Sequence, residues 1–90
     1  MNNLAIHSYT TIMRLKTNSA VSANFNLQQM AEAFDVEPTL MKSVLTANVT
    51  LEIIKNALAD VGGEHSHPLI DKSLRTKFFE AIVQLSEQED

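Results

Sequence analysis

From Pro38 to Val61 the apolar residues Leu40, Val44, Ala47, Leu51, Ile54, Leu58 and Val61 fall at spacings of 4, 3, 4, 3, 4 and 3. That is the stripe of a helix that packs against other helices. Read as one element it predicts a 24-residue helix about 36 Å long, closed by Gly62 and Gly63. A single stripe of this kind has no stable existence in water, so the rest of the chain, or a second copy of it, must supply the covering surface.

The start of this helix is well specified. Pro38 suits a first helical position, where its missing N–H has no intrahelical partner, and Glu37 then stands as the N-cap. Val36 before the cap and Met41 inside the helix have the spacing of a hydrophobic staple. The weak stretch is Thr46 to Thr50, where Asn48, Val49 and two threonines have modest helix propensity and Asn48 or Thr50 is able to cap a new helix. The unbroken phase of the stripe favours a continuous helix; a break would give two short ones.

Ninety residues allow one small domain with a limited core. The absence of cysteine removes disulfides and thiolate metal sites as staples. Two glycines, two prolines and 6% aromatic residues argue against a turn-rich β sandwich. No apolar run of about 18 residues suggests a membrane span, and the first residues lack the basic region and apolar core of a secretory signal. The expected setting is cytoplasmic, although the acid-free, Ser/Thr-rich start shares its composition with organellar transit peptides.

Residues 4–17 alternate in a way compatible with a strand, but Tyr9, Ile12, Met13 and Lys16 also share a helical face with Ser8 as a cap. A helix is preferred, because a lone strand has nothing to pair with. Residues 1–20 are open to being flexible, and Asn18 to Asn24 reads as a connection. Asn26 as N-cap, Gln29 at the capping-box position and Phe25 with Met30 as a staple predict a short helix from Leu27 to Phe34. Asp35-Val36-Glu37 is a tight link. After the polar Glu64-His65-Ser66-His67 loop, Pro68 and Asp71 offer two starts for a last helix, over about 69–87, whose stripe includes Leu74, Phe78, Ala81, Ile82 and Leu85. It is expected to pair with the long helix as an αα-hairpin. The fold class is therefore all-α, a small helical bundle in a single domain.

The stretch Leu27 to Leu45, LQQMAEAFDVEPTLMKSVL, resembles the helix-turn-helix pattern of small phage and plasmid regulators. Ala31 stands at the small-residue position for close helix packing, Val36 follows the turn, and Met41 and Val44 fall at core positions of the second helix. Asp35 departs from the pattern, where such proteins most often carry Gly. The resemblance implies a second helix that presents Thr39, Lys42, Ser43 and Thr46 to a DNA major groove, with Arg14 and Lys16 on phosphates. It also extends, in layout alone, to phage DNA-packaging adaptors.

Charge argues the other way. The net charge is −4, yet residues 1–31 contain Arg14 and Lys16 and no acid, while residues 32–90 hold all 11 acids against five basic residues. Apolar residues beyond the two stripes suggest instead a non-enzymatic interaction module. Its helical face, at Leu45, Ile53, Phe79 and Val83, would meet a protein partner or a second copy. This is the leading expectation, with the DNA-binding regulator as its alternative.

Other signals are weaker. Glu64, His65 and His67 are suitable zinc ligands, with His7 as a further candidate, but a polar loop is the ordinary place for solvated histidines, so no metal or cofactor is expected. Ser66 lacks the context of a nucleophile, and Glu32, Asp35 and Glu37 read as a solvated acidic cluster. Neither an enzymatic activity nor a small-molecule substrate is expected. Lys72, Arg75 and Lys77 read as a solubilising surface, with Lys72 and Arg75 on one helical face.

Overall fold

A computed structural model describes residues 3–21, 27–62 and 67–88. These form five helices and no strand: α1 (Asn3–Val21), α2 (Leu27–Phe34), α3 (Pro38–Thr46), α4 (Leu51–Val61) and α5 (Lys72–Gln88). The protein is an all-α bundle. Asn26, Phe25, Gly63 and the acidic C-terminal pair Glu89 and Asp90 lie outside the described residues, so the capping of α2 and fraying of the last turn fall there too.

The long helix is in fact two. Thr46 ends α3, Ala47 turns to an extended conformation (φ −72°, ψ 152°), and Thr50 (φ −118°, ψ 166°) caps α4, its hydroxyl accepting from the Ile53 N–H at 3.2 Å. Between them Val49 is buried and its N–H donates to the Ala47 carbonyl at 3.1 Å. The stripe residues keep facing the core on both sides of the break: Val44, Ile54 and Leu58 are buried, and Leu40, Ala47, Leu51 and Val61 pack against them. The expectation of a continuous helix failed because periodicity reports only which face is buried. Two short helices turned toward one core produce the same pattern as one long helix.

The N-terminal helix is longer than expected. It begins at Asn3, which makes Ser8 an interior residue rather than a cap, and it continues to Val21 through part of the expected connection. Three threonines that would weaken such a helix donate their hydroxyls to carbonyls one turn back, Thr10 to Ile6, Thr11 to His7 and Thr17 to Met13, at 2.9–3.0 Å. Ala5, Ser8 and Ile12 are fully buried along its inner face. Small residues there let α1 lie close to α4 and α3, its two neighbours.

The last helix starts later than expected, at Lys72. Residues 68–70 form a separate turn, and Asp71 caps α5 by accepting from the Ser73 N–H at 3.0 Å and the Ser73 hydroxyl at 2.7 Å. The α4 and α5 helices share the most extensive contact in the molecule, as the hairpin requires. Each is buried on two sides: adjacent Ile53 and Ile54 on α4, and adjacent Phe78 and Phe79 on α5, are all buried. Neighbouring residues on a helix point about 100° apart, so both members of a pair are covered only if the helix has partners on two sides. The neighbours of α4 are α1 and α5, and those of α5 are α4 and α3. From α2, Phe34 meets Phe79 edge-on, with ring centroids 6.3 Å apart.

Candidate nucleic-acid interface

A three-residue link, Asp35 to Glu37, joins α2 to α3. Asp35 has φ +57°, the one non-glycine residue in the left-handed region among those described. Its N–H donates to the Glu32 carbonyl at 3.1 Å, and the next N–H, of Val36, reaches back to Ala31 at 2.9 Å. This pair of bonds is the Schellman ending of a helix, with Asp35 at the position that usually takes glycine. Aspartate is among the side chains that tolerate the left-handed region best, so the departure in residue type is not a departure in backbone. Ala31 and Met41 are buried, and Val36 packs against the same core. Pro38 and Glu37 open α3 as expected, although the Glu37 side chain makes no cap bond.

Two cations from α5 hold the turn. Lys72 Nζ pairs with the Asp35 carboxylate at 2.5 Å, and the Arg75 guanidinium donates from Nη1 to the Phe34 carbonyl and from Nη2 to Ile70 at 3.5 Å. Hydrogen bonding to Lys72, then its charge, with a smaller contribution from Arg75, keeps Asp35 below its usual carboxylate range. The two residues do share a face, but they act as a clamp on the α2 terminus rather than as a solubilising surface; Lys77 remains exposed. Sequence reasoning missed this. The available signal was that neither α2 nor α3 has a basic residue in its last turn, so compensation of their carbonyl ends had to come from elsewhere.

Lys16 plays the equivalent part at the other end of α3, where its ammonium donates to the Ala47 carbonyl. One of its three donors is therefore committed to the fold. The outer face of α3 is open: Thr39, Lys42, Ser43 and Thr46 are all exposed, and so is Arg14 on α1. The Ser43 hydroxyl donates to Thr39 at 3.0 Å and the Thr46 hydroxyl to Lys42 at 2.9 Å, which leaves their oxygen lone pairs toward solvent.

The residues expected to form an apolar docking face lie elsewhere. Ile53 (2% exposed) and Phe79 (0%) belong to the core because α4 and α5 are covered on two sides, and Leu45 and Val83 are half-buried against it. The large hydrophobic residues exposed to solvent among those described are Ile6 and Ile70, at 39% and 78%. A shallow open groove beside Leu51, Glu52, Lys55 and Asn56 is lined from α4 alone.

Glu64 and His65 lie outside the described residues, but His7 and His67 come together, with ring centroids 4.8 Å apart and planes at 80°. The half-buried His67 is not the freely solvated loop residue expected. Its Nδ1 accepts from the Leu69 N–H at 3.2 Å, so the neutral ring carries its proton on Nε2. That arrangement leaves neither nitrogen of His67 with a free lone pair for a metal. Among the described residues no group of three His, Cys, Asp or Glu side chains is placed to hold a metal ion, and no helix is long and apolar enough to cross a membrane.

The chain matches no protein-family model, curated protein or solved structure with which it was compared.

Proposed function

We propose that this protein is a helix-turn-helix module that lays α3 in the major groove of duplex DNA, as a regulator or packaging adaptor does. The observation that supports the reading is the left-handed Asp35 in a Schellman turn, which joins α2 to α3 through a short link while the outer face of α3 stays uncovered. Thr39, Ser43 and Thr46 offer hydroxyls and methyls to base edges, Lys42 a donor to guanine, and Arg14 and the remaining donors of Lys16 contacts to phosphate. The competing reading, an apolar face for a protein partner, loses support because two of its four residues are core.

With a net charge of −4, affinity from phosphates is modest. Two copies on neighbouring half-sites would double the number of phosphate contacts, which is how many such modules reach useful affinity. The test is fluorescence anisotropy of a labelled random duplex at low and moderate salt. If Arg14 and Lys16 of one copy neutralise phosphates, binding of that copy weakens roughly 12-fold between 50 and 200 mM salt. Lys42→Glu abolishes it. No binding at 50 mM salt, or binding indifferent to salt and to Lys42→Glu, sinks the proposal; a stable oligomer by light scattering that ignores DNA would restore the protein-interaction reading.

A further inference from the structure

We propose that the contact between His7 and His67 is an acid-sensitive latch, fastening the first turns of α1 to the turn that leads into α5 and releasing them as the His67 ring gains a proton. The proposal is independent of any role in DNA binding.

His67 organises its turn from both its main chain and its ring. Its carbonyl accepts from the N–H groups of Ile70 at 2.9 Å and Asp71 at 2.7 Å, while Nδ1 accepts from Leu69. The ring thus does what an asparagine oxygen does at the start of a turn, with the difference that its acceptor is a base. Pro68, fully buried, anchors the same turn to the core. The other nitrogen, Nε2, is buried and has no hydrogen-bond partner among the described residues, and the ring stands edge-to-face with His7 from α1.

A proton on Nδ1 would turn the acceptor into a donor facing the donor of Leu69. The same event puts a cation in a half-buried site beside the His7 ring. No described acid relieves it. The Asp71 carboxylate accepts from the Ser73 N–H and hydroxyl, Asp35 is paired with Lys72, and the Arg75 guanidinium is bonded to the Phe34 and Ile70 carbonyls. Burial first, and the charge of His7 second, push His67 below the ordinary histidine value of 6.5. The folded state therefore prefers the neutral ring. Its contribution is complete above pH 6.5 and is lost as pH falls through the lower folded-state value.

The experiment is an NMR titration of the full chain from pH 8 to pH 5. It follows the ring protons of His7 and His67, the Leu69 amide, and hydrogen exchange at Thr10 and Thr11. His67 should titrate below the ordinary histidine value, with the Leu69 amide proton moving upfield along the same curve. Exchange in α1, corrected for its intrinsic pH dependence and referred to Leu58 in α4, should rise by up to about tenfold per pH unit as pH falls from 6.5 toward the folded-state value of His67, and level off below it. His67→Asn keeps an acceptor for Leu69 and removes the titration, so its α1 exchange should be flat with pH. A Leu69 amide that ignores the titration of His67, or an unchanged pH response in His67→Asn, would overturn the latch.

Discussion

The two ends of α3 solve one problem in opposite ways. At its start the chain reverses through a left-handed residue, Asp35, and two backbone hydrogen bonds that finish α2 locally. At its end there is no left-handed residue: Ala47 becomes extended, Val49 is driven into the core, and Thr50 opens the next helix. The first turn is stabilised by backbone bonding and the second by burial of a side chain. Each is tied down by a distant cation, Arg75 on Phe34 and Lys16 on Ala47. A helix can therefore be punctuated without glycine, provided that the carbonyls left at its end find a donor from elsewhere in the fold.

The largest effect should come from placing a charge where the second break relies on burial. Val49→Asp is expected to cost at least about 3 kcal/mol, measured by urea denaturation, because an unpaired carboxylate would enter the core. If the cost is under 1 kcal/mol, Val49 does not hold the break and the contrast fails. Next, Arg75→Met should cost about 2 kcal/mol and Lys16→Met about 1.5, since each loses a charged hydrogen bond to a partly buried carbonyl and Arg75 loses a second, exposed one. The reverse order would show the second break to be the more dependent on its clamp. Thr50→Ala removes a side-chain cap and should lower stability by about 1 kcal/mol in the same assay. The smallest change is expected from Asp35→Gly, where relief of the left-handed side chain and loss of the Lys72 pair oppose each other. Asp35→Val, with a branched side chain and no pair, should be clearly destabilising by comparison.

Much of this fold was legible in the sequence. The stripes located the core, the Pro38 start was correct, α2 occupied its expected residues, and Asp71 was among the two expected starts for α5. The break at 47–50 was visible only as weak propensity, and the phase of the stripe concealed it. Ile53 and Phe79 were misplaced because a count of surplus apolar residues says nothing about which helices flank them. The clamps were the least legible part: the bonds from Lys16 and Arg75 span 31 and 41 residues, and no local pattern marks them. In the candidate interface, the exposed face of α3 followed from helical spacing, while the His7 and His67 contact depended on tertiary approach alone.

Those long-range clamps also set an order of events for folding. The α4 and α5 helices are close in sequence and can meet after closing a short loop, whereas the carbonyl ends of α2 and α3 wait for donors from both flanks of the chain. The bonds of Lys16 and Arg75 should then be absent from the rate-limiting transition state. Substitutions there would speed unfolding and leave the folding rate nearly unchanged, whereas truncating Phe78 in the hairpin would slow folding. The α2–α3 segment, last to be secured, is the part of the molecule whose lifetime is governed by residues that lie outside it.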